Sequence, residues 1–215
     1  MKPTLICVVG ETGSGKDTLV NKAIEYGSFE FRKVCSYTDR PMRSTETDGV
    51  EHYFITTDEF NKLKEERKDD ILAYTHIKDE SQSNYNGYQY MALSDELEKS
   101  HIYIIDYNGL QFLKDKYSDT INIKTVYIHA SYFTRRKRAK NTRSDFKKEF
   151  NKRVRAEKDQ FKEFKKLKLY DYKIENKDGK LDKAVKELYA IFRCELCYNF
   201  GSSNIPNTKP QKTNS

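Results

Sequence analysis

The sequence of 215 residues has no tryptophan, only four cysteines, and no apolar run approaching the length that crosses a bilayer. A spanning helix needs about 20 consecutive apolar residues, so an integral helical membrane protein is excluded. Met1-Lys2-Pro3 leads almost at once into an apolar segment and leaves no room for a secretory leader, so a cytoplasmic setting is expected. Among the cysteines, Cys7 and Cys35 lie in apolar runs and read as small buried thiols. Cys194 and Cys197 form a lone Cys-x-x-Cys with no neighbouring His or Cys cluster to complete a zinc site, so they read as helix-end residues.

What is present is charge and aromatic surface. Charged residues make up 34% of the chain and hydrophobic residues 36%, and 16 Tyr and 12 Phe supply much of the area that can be buried. The length suits one domain with a small insert rather than two independent domains. The net charge of +7 points to an anionic partner, either nucleic acid or a small phosphorylated compound.

The most informative segment is Gly10-Glu11-Thr12-Gly13-Ser14-Gly15-Lys16-Asp17-Thr18, which directly follows the apolar run Leu5-Ile6-Cys7-Val8-Val9. Glycines at 10, 13 and 15 let the main chain curl so that successive N–H groups face an anion, and the helix that follows adds its positive end. Lys16 supplies a mobile cation. The strict phosphate-loop pattern places Ser or Thr directly after the lysine for magnesium, whereas here Asp17 stands there and Thr18 follows.

Farther along, Phe29–Tyr37 reads as a strand, His52–Ile55 as another, and a helix begins at Thr57-Asp58-Glu59 and runs to about Arg67. Ile71–Ile77 and Tyr85–Met91 suggest a small antiparallel insert. His101–Asp106 reads as a central strand ending in a carboxylate, and Thr125–His129 as another strand. Residues 131–166 read as two basic helices with a break at Asn141–Ser144, Tyr172–Ile174 as a short strand, and Leu181–Cys194 as a closing amphipathic helix. This alternation implies an α/β fold with a parallel sheet flanked by helices and ligands at the carboxyl ends of the strands. Residues 201–215 are too polar to order themselves.

The segment Ser36 to Phe54 resembles the substrate loop of the guanylate kinase family in its Ser36, Arg40, Pro41, Arg43, Glu46, Gly49 and Phe54. The resemblance continues through Asp58-Glu59-Phe60, Asn84-Tyr85, Asp106-Tyr107-Asn108-Gly109, the basic helices and Asn176, covering about residues 4–193. It implies a phosphate-loop kinase fold with one domain over residues 1–200: a core (1–35, 99–130 and 167–197), an acceptor-binding insert (36–98) and a helical lid (131–166). It further implies transfer of the γ-phosphoryl group from ATP, with Mg²⁺, to a nucleoside monophosphate, GMP or dGMP before others. By the same resemblance Arg40, Arg43 and Tyr85 bind the acceptor phosphate, and Ser36 and Asp106 face its base. Arg138, Arg143 and Arg153 close over the donor phosphates with Lys16. The loop from Gly10 to Thr18, together with Asn176, holds ATP, and Thr18 or Asp17 serves the metal directly or through water.

Two positions depart from the family. His52 stands where a phosphate-contacting tyrosine belongs and is counted among the acceptor-binding residues, the contact being either taken over by its imidazole or lost, and Ala73 stands where a base-reading glutamate belongs, with Asp70 as a nearby substitute. These leave open a kinase for another (deoxy)nucleotide or a small phosphorylated sugar, or a catalytically silent interaction module. The basic helices lack the interleaved aromatics of a nucleic-acid surface, so small-molecule nucleotides are the expected partners, with monomer and homodimer equally open.

Overall fold

The computed structural model describes residues 2–28, 31–44, 46–77, 87–142 and 146–197. Four parallel strands form the main sheet in the order β6 (Ile102–Ile104), β1 (Thr4–Val9), β7 (Asn122–His129), β8 (Tyr172–Glu175). Every residue of β1 is buried, because both faces of the sheet are covered. That explains a continuous apolar run in place of an alternating one. On one face Ile6 and Val8 meet Leu19, Val20, Ala23, Leu188 and Phe192 of α1 (Lys16–Tyr26) and α6 (Leu181–Cys197). On the other face Leu5, Cys7 and Val9 meet Leu110 and Leu113 of α3 (Tyr107–Tyr117) and Phe161 and Phe164 of α5 (Phe146–Lys166). Tyr127 anchors this second layer, with its ring 5.4 Å from that of Phe164 and 6.0 Å from that of Phe161.

A second, mixed sheet has the order β3 (His52–Phe54), β2 (Ser36–Thr38), β5 (Tyr88–Leu93), β4 (Ile71–Ile77). Its inner side packs Ile71, Met91 and Leu93 around Phe60 of α2 (Thr57–Glu66). The helix starts where the sequence says it should. The Thr56 side chain accepts from the Glu59 N–H while the Glu59 carboxylate takes the Thr56 N–H at 2.8 Å, a reciprocal cap. Leu72, Ala73 and Ala92 join the core of the main sheet, and Lys116 and Tyr117 of α3 donate to the Ile71 carbonyl at 3.1 and 2.9 Å. The insert is thereby held against the carboxyl side of the main sheet. Helix α4 (Tyr132–Thr142) precedes α5, and the two form the basic helical pair.

The expected α/β architecture is found, with four revisions. Of the run Phe29–Tyr37, expected as one strand, the described residues 31–37 do not form one: Lys33 makes a single bridge to Ile102 of the main sheet, and the chain then crosses to the other sheet as β2. Its apolar residues Phe31 and Val34 are buried by packing, without continuous pairing. The second run of the insert, expected over Tyr85–Met91, pairs over Tyr88–Leu93 and so ends two residues later, while its first two residues lie outside the described residues. Strand β6 occupies an outer position of the main sheet and not a central one, because Lys33 alone continues the ladder beyond it. Helix α6 continues through Cys197. The polar segment 201–215 lies outside the described residues, as do residues 143 and 144 of the break expected at Asn141–Ser144; its first two residues, Asn141 and Thr142, are instead the last of helix α4. No helix among the described residues is long and apolar enough to cross a membrane.

Burial pushes the Cys7 thiol up to about 12 and the Cys35 thiol up to about 11, whereas Cys194 is exposed. Thiolates do the alkylating, so Cys194 should label within minutes at neutral pH, and Cys7 and Cys35 only after unfolding. Peptide mapping after timed iodoacetamide treatment measures this; rapid labelling of Cys7 in the native protein would contradict the packing described. Phe164→Ala, at the centre of the aromatic layer, should cost roughly 3–5 kcal/mol in denaturant unfolding.

Candidate active site

The loop after β1 turns on Gly13 (φ 79°) and Gly15 (φ 85°), both in the left-handed region. A Cβ at Gly15 would also lie 2.8 Å from the Asn176 amide nitrogen, so glycine is required there twice over. Gly15 caps α1 with no side-chain hydrogen bond, which leaves the first N–H groups of the helix available to an anion. Lys16 reaches back over the loop and donates to the Gly10 carbonyl at 2.8 Å. Asp17 and Thr18 are exposed on the first turn and line the same cleft.

The loop is braced from behind. Asn176, after β8, donates its amide to the Ser14 carbonyl at 2.8 Å, and its side-chain oxygen is buried with no partner among the described residues. Arg138 of α4 donates to the carbonyls of Ser14 (3.2 Å) and Asn176 (3.0 Å) and pairs with Asp178 at 3.0 Å. The Glu11 side chain turns away from the cleft. It accepts from Arg135 at 3.0 Å and from the Tyr127 hydroxyl at 2.9 Å, with Lys165 at 3.5 Å, so its share in the loop is main chain only. Arg135 also donates to the Thr12 carbonyl at 3.1 Å, and Glu157 of α5 accepts both the Thr12 N–H at 2.8 Å and the Thr12 hydroxyl. Sequence reasoning missed Arg135 and Glu157 as partners of the loop, because they lie more than 120 residues away and follow no local pattern.

A second cationic pocket is built on the segment between β2 and β3. Arg40 is buried and binds Glu46 through two parallel hydrogen bonds of 3.0 and 2.9 Å. Glu46 also accepts the Arg43 N–H at 2.8 Å and lies 3.3 Å from the Arg43 guanidinium. Burial works against ionisation of Glu46, but Arg40 and Arg43 outweigh it and hold its carboxyl below the usual carboxylate range. Glu46 therefore sets the position of both arginines, a role the sequence pattern did not disclose. The Arg40 Nε donates to the Tyr90 hydroxyl at 3.2 Å, and its guanidinium lies 5.3 Å from the Phe54 ring.

Ser36 and His52 are register partners on β2 and β3, with Oγ and Nδ1 2.8 Å apart. Burial, and then the charge of Arg40, lower the His52 pKa, so the ring is neutral near pH 7. Asp106 caps α3, its carboxylate accepting from the Gly109 N–H at 2.9 Å and the Thr75 hydroxyl at 3.1 Å. Ala73 lines the cleft beside Thr75, and Asp70 does not replace the missing carboxylate: it pairs with Arg67 at 2.6 Å outside the cleft lining. Tyr85 and Arg143 lie outside the described residues.

Both cationic pockets open into one cleft of about 780 Å³. The phosphate loop with Lys16, Arg138 and Asn176 occupies part of its wall, and Ser36, Arg40, Arg43, His52 and Asp106 another part. Arg153 and Glu157 of α5 also line it. The two pockets thus share one enclosure, which is what bringing two anionic ligands together requires.

A family model described as guanylate kinase matches residues 2–195. A guanylate kinase of Vibrio parahaemolyticus is 30% identical over 198 residues, covering 90% of this chain and 89% of that protein. A guanylate kinase of Paraburkholderia xenovorans is 33% identical over 121 residues, covering 55% of this chain and 51% of that protein. The crystal structure of guanylate kinase from Anaplasma phagocytophilum superposes with a TM-score of 0.60 over 91% of this chain and 87% of that one, at 20% identity, a likeness of fold. The family model and the full-length relative, together with the braced phosphate loop and the arginine pocket facing one cleft, show that the chain belongs to the guanylate kinase family.

Proposed function

We propose that this protein transfers the γ-phosphoryl group of ATP to the phosphate of GMP or dGMP, releasing ADP and the nucleoside diphosphate. The observation that carries the reading is the single cleft into which both cationic pockets open. In the reaction an oxygen of the acceptor phosphate forms a bond to the γ-phosphorus as the bond to the β-bridging oxygen breaks. The protein contributes no nucleophile of its own. Its share is alignment of two anions that repel each other and neutralisation of the charge on the group in transit.

Lys16 and the loop amides take the donor phosphates, and Arg138 and Arg153 of the basic helices line the same cleft. Arg40 and Arg43 present planar guanidinium groups to the acceptor phosphate, a geometry lysine lacks. Asn176, with a buried acceptor oxygen to spare, suits the amino edge of the donor base. Magnesium fits the donor set: Asp17 and Thr18 offer hard oxygens on the first turn of α1, open to the cleft. Magnesium is commonly held by one or two protein oxygens together with substrate phosphates and water. When bound, the ion would neutralise phosphate charge.

A second reading, a kinase for a different (deoxy)nucleoside monophosphate, is favoured by Ala73, which leaves Asp106 as the carboxylate beside Thr75 at that end of the cleft. Incubating the protein with ATP, magnesium and each common (deoxy)nucleoside monophosphate, with ADP release as readout, distinguishes the two. The expected result is turnover with GMP and dGMP above all others; no turnover with any acceptor would overturn the kinase assignment.

Lys16→Met should lower kcat by about two orders of magnitude or more while the melting temperature stays within a few degrees. Arg43 is half exposed, so Arg43→Ala tests the acceptor pocket without leaving a buried carboxylate unpaired. Its acceptor KM should rise about tenfold, as expected for one lost charge-assisted contact, with the KM for ATP unchanged. A rise confined to the ATP KM would show that the two pockets have been assigned the wrong way round.

A further inference from the structure

Two residues of the phosphate loop make contacts that cradling an anion does not require. The Gly-x-x-x-x-Gly-Lys pattern leaves positions 11 to 14 unspecified, yet Glu11 and Thr12 between them bind both helices of the basic pair. On α4, Arg135 donates to the Glu11 carboxylate at 3.0 Å and to the Thr12 carbonyl at 3.1 Å. On α5, Glu157 accepts the Thr12 N–H at 2.8 Å and the Thr12 hydroxyl, and Lys165 lies 3.5 Å from Glu11. A Cβ at Gly13 would lie 2.9 Å from the Arg135 carbonyl oxygen, so α4 is seated directly on the loop.

Helical spacing carries this seat into the cleft. Arg138 follows Arg135 by three residues and Arg153 precedes Glu157 by four, so each pair shares a face of its helix. Arg138, Arg153 and Glu157 all line the cleft. We propose that Glu157 is a positioning residue for phosphoryl transfer: by holding Thr12 it docks α5 on the phosphate loop and sets Arg153 beside the path of the transferred group. This inference rests on the kinase reading above. Glu157 acts through Arg153 and not through a contact of its own with nucleotide.

A carboxylate is an unexpected group in this place. Glu157 lines a cleft built to receive phosphates, where a bare negative charge would repel the donor. Each of its oxygens is instead taken by a donor of Thr12, and hydrogen bonds to an ionised acceptor are roughly twice as strong as neutral ones. The Ser14 N–H is turned to the Glu11 carbonyl at 2.9 Å, so phosphate is met by amides at the start of α1 and the Thr12 amide is left for Glu157. The two roles open to the carboxylate have opposite signs. As a plain charge it would weaken ATP binding, and neutralising it would lower the ATP KM; as a latch on Thr12 it speeds transfer, and removing it lowers kcat. Arg135 seats α4 in the same way, but it is buried against Glu11, and breaking a buried pair endangers folding. Glu157 and Thr12 are therefore the positions at which the role is measured.

The test is steady-state kinetics with ATP, magnesium and GMP, or the nucleoside monophosphate turned over best, with melting temperature as the check on folding. Glu157→Ala should lower kcat about tenfold and leave the acceptor KM within about twofold of the parent. Glu157→Gln keeps an acceptor oxygen for one Thr12 donor and should recover most of that loss. Thr12→Val removes the hydroxyl but leaves the N–H, and should lower kcat about threefold; Thr12→Ser should restore it. In a double-mutant cycle, Arg153→Ala should cost far less in the Glu157→Ala background than in the parent. An unchanged or raised kcat in Glu157→Ala overturns the inference, and so do losses at positions 153 and 157 that simply multiply. Should Glu157→Ala fail to fold, Thr12→Val decides, and an undiminished kcat there overturns the inference. A parent protein that phosphorylates no nucleoside monophosphate overturns the functional reading and this inference with it. An active parent with an unaffected Glu157→Ala variant overturns this inference alone.

Discussion

Cations that must gather around phosphate repel one another when no phosphate is there, and the architecture of the cleft answers that constraint. Four of its positive groups are held by oxygens of the protein. Lys16 rests on the Gly10 carbonyl, Arg40 and Arg43 on Glu46, and Arg138 on Asp178 and two carbonyls. Burying Arg40 without Glu46 would leave an uncompensated charge, which is strongly unfavourable, so the carboxylate is as much a part of the binding pocket as the guanidinium. The pairings also fix geometry in advance, so fewer side-chain rotamers are lost when a ligand arrives.

The fold delivers these groups through its parallel sheet. Burial on both faces forces the loops that follow β1, β6 and β8 to one edge, where Lys16, Asp106 and Asn176 stand. The mixed sheet brings Ser36, Arg40 and His52 to the same edge because Leu72, Ala73 and Ala92 share a core with Leu5, Cys7 and Val9. Hydrophobic packing therefore sets the distance across the cleft, and polar contacts adjust the side chains within it.

How much of this was legible in the sequence follows from range. The phosphate loop could be read because its glycines, lysine and flanking strand are contiguous, and the segment from Ser36 to Phe54 because its residues fall within 19 positions of one another. The start of the helix at Thr57-Asp58-Glu59 was equally local, although its capping box on Thr56 was not read. Phe29–Tyr37 misled because burial, not pairing, explains its apolar residues, and a periodicity rule cannot separate the two. Tyr90 was lost within an aromatic strand, although its alternation with Met91 could have marked the side facing away from the core. Glu46 was visible as part of a pattern, but its grip on both arginines required coordinates. Nothing local announced Glu157 or Arg135, whose partners are 145 and 123 residues away.

Those two residues carry a mechanical consequence. Arg135 on α4 and Glu157 on α5 hold the carbonyl and the N–H of the same residue, Thr12, so one peptide segment is tethered to two levers. A shift of that segment pulls on both helices together, and a swing of either helix tugs the turn that cradles phosphate. The loop after β1 and the helical pair are in this way joined by direct hydrogen bonds to one residue, with no intervening relay of side chains.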